Sequence, residues 1–423
     1  MTYKPYKLQD VIDASNKELF TVISTFAGGG GSSTGYRLAG AKILAINEFV
    51  DSAVDTYKAN YPQTPVLPGD IKELTGEDLL KTAGIQKGEL DILDGSPPCS
   101  AFSISGKRDK GWNSTKKYSD DKKVENIEDL FFEYIRIAND IQPKVIIGEN
   151  VKGITAGSAR DYFNRIINEF DNIGYEAVGE VMNASDFGTP QARERCFFVA
   201  VRKDVLDKVG LNFMTITSNV YPEKHNTITT LKDAIDNVEN DEEEVNMLLD
   251  YVKGCFQHKW IQLLPFNPKK HTKPNEKDNR IIPIEKWEEY KEKGFSEKNA
   301  KPVQVGDKKL THYEWKDVDK CKHIDVNYKE SMFNMIRPAP NLPCPTVTQA
   351  GQQRGLSGVF HYNSNRKLTI KELKRVMGLP DDFKLEGDFD QQAERVGRMV
   401  APLMMKELSS TIYKNIIKPF NDR

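Results

Sequence analysis

The chain of 423 residues holds no apolar run long enough to cross a bilayer, although 38% of its residues are hydrophobic; a spanning helix needs about 20 consecutive apolar positions. Met1 to Asp10 are polar and include lysines, with no long apolar core behind them, so no secretory leader is expected. Together these absences point to a soluble, cytoplasmic protein with no membrane partner. Cysteine is scarce too. The five present, Cys99, Cys196, Cys255, Cys321 and Cys344, are odd in number, widely spaced and free of any C-x-x-C pair, so neither a disulfide framework nor a zinc or other metal site is expected. Nor is there an excess of one charge: 60 Lys and Arg against 62 Asp and Glu leave a net charge of −2. A uniformly basic nucleic-acid binder is thereby excluded, and any such binding has to come from local patches.

What is present is an alternation. Up to about Arg202, strand-like apolar runs (Leu19 to Ser24, Ile43 to Asn47, Lys144 to Gly148, Phe197 to Val201) alternate with helical segments such as Asp129 to Ile141 and Ala159 to Phe170. This is the pattern of an α/β protein with a doubly wound, mostly parallel sheet. After Arg202 the pattern changes. Residues 236 to 244 are acidic, and 253 to 330 are rich in lysine with scattered Trp260, Trp287 and Trp315, which predicts a separate, smaller, irregular β-rich unit. The expected division is 1–205, 206–365 and 366–423, the last segment completing the first. A single lysine in the middle unit reads most simply as part of a solvated surface.

Four segments carry chemistry-bearing residues. Asp91 to Ser103 run from a short apolar strand into a Pro97-Pro98 corner and present Cys99 just beyond it, where reactive groups collect in an open α/β sheet. The plain alternative is an inert buried thiol. Lys144 to Gly148 end in Glu149-Asn150-Val151, and Gln191-Ala192-Arg193-Glu194-Arg195 precede another apolar run; a helix-end charge and a solvated strand edge are their plain alternatives. Phe26-Ala27-Gly28-Gly29-Gly30-Gly31 follow a strand, and Glu48 ends the next strand about 20 residues on, a spacing suited to an adenosine-bearing cofactor.

In this order the segments resemble the DNA cytosine-5 methyltransferase family, bacterial or phage type, over roughly residues 19 to 410. The resemblance implies the class I S-adenosylmethionine-dependent methyltransferase fold with a target-recognition domain. It also implies double-stranded DNA as partner and S-adenosylmethionine as cofactor. Ser96-Pro97-Pro98-Cys99 matches the catalytic motif, Glu149-Asn150-Val151 the base-recognition motif, and Gln191 to Arg195, with Arg193 and Arg195, the motif that steadies the target base. Cofactor residues implied are Phe26, Ala27, Gly28, Gly30, Gly31, Glu48, Phe49, Asp70, Ile71, Pro98, Leu130, Arg398, Met399 and Val400. Arg366 to Thr369 through Pro380 to Phe383 resemble the motif after the recognition domain. Thr346 would fix the phosphate beside a flipped nucleotide, and Gln352, Gln353 or Arg354 would enter the helix and meet base edges.

The chemistry explains these residue types. Carbon 5 of cytosine is too weak a nucleophile until a thiolate adds at carbon 6, hence Cys99. A carboxyl group at the ring nitrogen, the role of Glu149, offsets the charge that addition pushes there, and burial favours its protonated, donating form. The guanidinium of Arg195, with Arg193 beside it, suits a carboxylate and the exocyclic oxygen. Such chemistry needs the base out of the stack. The segment Ser103 to Lys123, with Ser103, Lys107 and Arg108 facing phosphates, reads as a lid, with a disordered basic loop as the alternative.

One position departs from the pattern. Relatives carry Gly-Asn where this chain has Gly397-Arg398-Met399. A salt bridge or a phosphate contact is the plain reading of Arg398. The sharper one is that a guanidinium beside a sulfonium needs an anion, which carboxy-S-adenosylmethionine would supply, making the enzyme a cytosine-5 carboxymethyltransferase. The rivals are a tRNA cytosine-5 methyltransferase, opposed by the long insertion between Arg202 and Arg366, and a non-catalytic DNA-binding module, opposed by intact Cys99, Glu149 and Arg195. The expected state is a monomer, with a restriction endonuclease as a companion activity.

Overall fold

The computed structural model describes residues 3–98, 116–117, 123–124, 130–157, 159–254, 269, 271, 280–283, 300–305, 308–315, 335–349, 351–352 and 358–423. Cys99, Ser103, Lys107, Arg108, Gln353 and Arg354 lie outside the described residues.

From the N-terminus the framework runs β1 (Phe20–Thr25), α1 (Gly31–Leu38), β2 (Ala41–Glu48), β3 (Val66–Pro68), β4 (Ile92–Gly95), α2 (Leu130–Ile141), β5 (Val145–Val151), β6 (Tyr175–Asn183) and β7 (Glu194–Arg202). These seven strands form one sheet in the order β3-β2-β1-β4-β5-β7-β6. All are parallel except β7, which lies antiparallel between β5 and β6. The apolar runs seen in the sequence are buried on both faces, as a sheet covered on both sides requires. Val22, Ile92, Ile147, Phe197 and Val199 join one core, while Ile23, Leu93, Ile146, Phe198 and Ala200 join the other. Because the chain winds from β1 to β2 and β3 on one side and then returns to β4 on the other, the strand order reverses between β1 and β4. That reversal opens the crevice where ligands bind in such sheets.

Three C-terminal helices complete the framework: α3 (Ile370–Met377), α4 (Phe389–Arg398) and α5 (Pro402–Ile412). Helix α5 lies on α1 at very short range, since a Cβ on Gly35 would stand 2.5 Å from the Pro402 carbonyl and 2.6 Å from the Met405 Cβ. Before them, residues 280–283, 308–315 and 300–305 form a three-stranded antiparallel sheet with 308–315 in the centre. The helix Phe213–Val220 does not belong with it. Ile216 and Val220 are buried in the core of the large sheet, and the hydroxyl of Tyr221 donates to the Phe197 carbonyl at 2.6 Å. Among the described residues no helix is long and apolar enough to cross a membrane.

The α1–α5 contact leaves no room for a methyl group, and neither neighbour is the far end of a flexible side chain. Gly35→Ala is expected to lower unfolding free energy by about 1–3 kcal/mol, the usual range for overpacking, read as a shifted urea midpoint with an unchanged slope.

Candidate active site

The site is assembled where strand ends meet. Glu149 lies near the carboxyl end of β5. Because β7 is antiparallel to β5, its amino end lies at the same edge, with Arg195 opposite Val151 and Phe197 opposite Glu149. Alternation then places Arg195 on the face of Glu149, two residues along. Their side chains form an ion pair, Nε to Oε1 at 2.9 Å, and both are largely buried, at 17% and 13% exposure. Burial pushes the Glu149 carboxyl above its ordinary value, while Arg195 and Arg193 act against that.

Asn150 links this edge to the next strand. Its side-chain amide donates to the Pro97 carbonyl at 3.4 Å and its oxygen accepts from the Val151 amide at 2.8 Å. The Ser96 hydroxyl donates to the Phe26 carbonyl at 3.2 Å. The Pro97-Pro98 corner that precedes Cys99 in the chain is thus tied to both the Glu149 strand and the glycine-rich turn.

Below the corner sits Asp94, which the sequence reading did not single out although it lies five residues before Cys99. Its carboxylate accepts from Ser24 Oγ at 2.6 Å, Ser32 Oγ at 2.9 Å and the Tyr36 hydroxyl at 3.1 Å, joining β4 to β1 and α1. Burial raises its pKa from 3.8 to about 6, against the three hydroxyl donors, with Glu149 adding to the rise. An aspartate inside an apolar strand run, with serines on the neighbouring strand and helix, was the available signal.

The glycine-rich turn follows β1. Gly28 and Gly30 take positive φ of 55° and 96°, as does Phe26 at 50°. Glu48 closes the turn: Oε2 accepts from the Gly28 amide at 2.6 Å, and Oε1 accepts from the Phe49 and Val50 amides at 2.9 and 2.8 Å. The C-terminal segment returns here, because a Cβ on Gly31 would meet the Val400 carbonyl at 2.6 Å and one on Gly29 would meet Met399 Cε at 2.6 Å. A Cβ on Gly28 would meet nothing within 4 Å, which leaves the turn open on that side. Ile71 and Leu130 are buried, and the Asp70 side chain accepts from the Lys72 amide at 3.0 Å. An acid, an open glycine turn and apolar walls at the crevice form a set of groups that fits an adenosyl group.

Three expected roles change. Arg193, expected to face the base with Arg195, is only 2% exposed and donates to the backbone carbonyls of Val347 and Gly397, each at 3.0 Å. Gln352, expected to enter DNA, is fully buried, and its amide pairs with the N–H and carbonyl of Val359 in the orientation that satisfies both. The Thr346 hydroxyl donates to the Ala192 carbonyl at 2.7 Å, so its one proton is already engaged. In each case donors of the side chain are taken up by backbone groups of the protein itself. Arg398 pairs with Glu394, Nε to Oε1 at 2.8 Å, one helical turn away. Cys196, next to Arg195 in the chain, is buried and its thiol is pushed up to about 12, which makes it inert.

The sheet order, the crevice between β1 and β4 and the antiparallel β7 define a class I S-adenosylmethionine-dependent methyltransferase fold. Solved structures agree on the fold: a protein encoded within an E. coli prophage aligns with a TM-score of 0.59 at 18% identity, covering 94% of this chain and 99% of that one. Dnmt2 of S. pombe aligns at 0.54 and 15%, covering 95% and 99%. A model of the C-5 cytosine-specific DNA methylase family matches residues 20–414, and the chain belongs to that family. Similar curated proteins are the Type II methyltransferases M1.HphI of Haemophilus parahaemolyticus, 28% identical over 93% of this chain and 87% of its own length, and M.DdeI of Desulfomicrobium norvegicum, 28% identical over 95% and 91%. Methyltransferases of this family use S-adenosylmethionine.

A buried acid with a raised pKa favours folding while it is protonated. Asp94 therefore contributes stability at pH 4 and below that is lost as the pH rises toward and past about 6. Asp94→Asn should remove that slope, so the variant gains on the parent by up to about 3 kcal/mol between pH 4 and pH 7, measured as urea midpoints across that range.

Proposed function

We propose that this chain methylates carbon 5 of cytosine in double-stranded DNA through a covalent adduct with Cys99, and that Glu149 and Arg195 hold the target base. The observation that carries this reading is the buried Glu149–Arg195 pair at the strand edge that is hydrogen-bonded, through Asn150, to the Pro97-Pro98 corner. A raised carboxyl pKa suits Glu149 to donate a hydrogen bond to the ring nitrogen, which draws off charge as the Cys99 thiolate adds at carbon 6. S-adenosylmethionine, when bound, supplies an electrophilic methyl group. Carbon 5, made nucleophilic by the addition, would accept that methyl as its bond to sulfur breaks, with S-adenosylhomocysteine as the leaving group. Loss of the carbon 5 proton to a base and departure of the thiolate restore the aromatic ring and free Cys99. Glu48, Phe49, Asp70, Ile71, Leu130 and the turn from Phe26 to Gly31 would hold the adenosyl group, with Met399 and Val400 backing the turn.

The recognition unit, in this reading, begins after Ile235 rather than at residue 206, since the helices Phe213–Val220 and Leu231–Ile235 both bury side chains in the core of the large sheet. With Gln352 turned inward, base reading passes to Gln353 and Arg354, and phosphate contacts to Lys107 and Arg108. DNA is favoured over tRNA because the segment between β7 and α3 is large enough for a separate duplex-reading unit. The Type II naming of the relatives supports a companion restriction endonuclease. Unmodified S-adenosylmethionine is the cofactor of this reading: Glu394 supplies the anion that Arg398 needs, which removes the reason for a carboxylated one.

With S-adenosylmethionine present, a duplex carrying 5-fluorocytosine at the target cytosine should form an adduct stable to denaturing electrophoresis, because fluorine in place of the carbon 5 proton blocks release of the thiolate after methyl transfer, and Cys99→Ala should abolish it; no adduct with the parent enzyme on DNA under these conditions, or a faster one on tRNA, overturns the reading. Bisulfite or enzymatic sequencing of DNA from cells expressing the enzyme supplies the target site. Mass spectrometry of DNA treated with each cofactor checks the second point. Methyl, not carboxymethyl, is expected at carbon 5, with Arg398→Asn leaving the preference unchanged.

A further inference from the structure

Resting on that reading, we propose that Arg193 is a positioning residue that couples the DNA-reading segment to the cofactor turn, so that each ligand tightens the other through one buried guanidinium. The connection is continuous. The strand residues Gln191–Ala192 pair in parallel with Cys344–Pro345, the Gln191 side chain accepts from the Val347 amide at 3.1 Å, and Thr346 donates to Ala192. These bonds fix the base of the segment that leads to Gln352. One guanidinium nitrogen of Arg193 then donates to the Val347 carbonyl and the other to the Gly397 carbonyl, 154 and 204 residues away in sequence. Gly397 has no room for even a methyl group, since a Cβ there would stand 2.6 Å from the Gln349 nitrogen and 2.6 Å from the Thr348 carbonyl carbon. Beyond Gly397, Met399 and Val400 press on Gly29 and Gly31 of the cofactor turn.

The chemistry of the group supports a coupling role over a packing one. Arg193 is buried without a carboxylate hydrogen-bonded to it, and its Nε has no hydrogen-bond partner among the described residues. A buried cation hydrogen-bonded to carbonyls, with Glu149 favouring it only through space and Arg195 opposing it, is a poor device for stability. It is a good one for geometry, because the planar fork presents its donors in fixed directions. If the Val347 segment moves without the Gly397 segment, one charged N–H loses its acceptor inside the protein, so the two segments prefer to move together. Arg195, two residues on in the chain, is paired with Glu149, so the same stretch of backbone also carries the base-holding residue.

Binding linkage provides the test. The probes are a fluorescent duplex carrying the site found by sequencing, and S-adenosylhomocysteine. With the parent enzyme, saturating S-adenosylhomocysteine should tighten the duplex on the order of 10-fold, and the duplex should tighten S-adenosylhomocysteine by the same factor. Arg193→Lys keeps an amine in place and loses the planar fork; it should bring both factors to about 2 or less, with affinity for S-adenosylhomocysteine alone retained. Gly397→Ala breaks the junction from the other side and should do the same, which carries the test if Arg193→Lys fails to fold. Unchanged factors in a folded variant, or no mutual tightening in the parent, overturn the proposal. So does Arg193→Lys losing the rate of 5-fluorocytosine adduct formation while the factors stay intact, for then the residue touches the base. A parent enzyme that binds the duplex but forms no adduct overturns the functional reading instead, and a measured factor still decides the coupling.

Discussion

The pairing of Glu149 with Arg195 exists because one strand runs the wrong way. Had β7 been parallel to its neighbours, its amino end would lie at the far edge of the sheet, and the arginines that precede its apolar run would be remote from Glu149. Reversal places Arg195 beside it, two residues out of register and on the same face. The electrostatics follow. Taking a carboxylate and a guanidinium out of water is unfavourable unless each meets the other at close range. Here the pair is close yet the acid still has a raised pKa, with burial outweighing the two cations. The result is an acid whose protonated form is favoured by burial and whose ionised form is favoured by its partner, the burial being the larger of the two effects.

Around this pair, polar side chains are used chiefly to hold backbone. Asn150 fastens the Pro97 carbonyl, Ser96 the Phe26 carbonyl, Glu48 three amides of the turn and its own strand end, and Thr346 the Ala192 carbonyl. Turns at the ends of parallel strands have no ladder to satisfy their amides and carbonyls, and buried ones need other partners. Asp94 differs in that it gathers hydroxyls rather than backbone, and it does so under the point where β1, β4 and α1 meet. Fixing these loops from below leaves the upper side of the crevice for ligands, as the open space beside Gly28 illustrates.

What the sequence displays and what it hides divide along the same line. The strands Phe20–Thr25, Ala41–Glu48 and Val145–Val151 and the helix Leu130–Ile141 are legible because apolar periodicity and burial share one cause. The reversal of β7 is not legible, since a buried strand reads the same in either direction. Residue type alone also fails to reveal whether a donor is already engaged. Arg193, Thr346 and Gln352 have the chemistry to meet a base or a phosphate, but their partners lie 154, 154 and 7 residues away and become visible only in three dimensions. Asp94 was overlooked for the converse reason: it looks like a strand-end acid, and the hydroxyls that define its role come from two other elements.

Arg398 shows how a local departure can be balanced locally. A guanidinium near a cationic cofactor is unfavourable in isolation, and its field falls off slowly inside a protein. Glu394 stands four residues earlier on the same helix, the order and spacing that favour an ion pair. The paired charges act at longer range as a dipole rather than a cation. That spacing was present in the sequence. A charge judged together with its neighbours one turn away on the same helix gives a different expectation from a charge judged alone, and here the former agrees with an unmodified sulfonium cofactor.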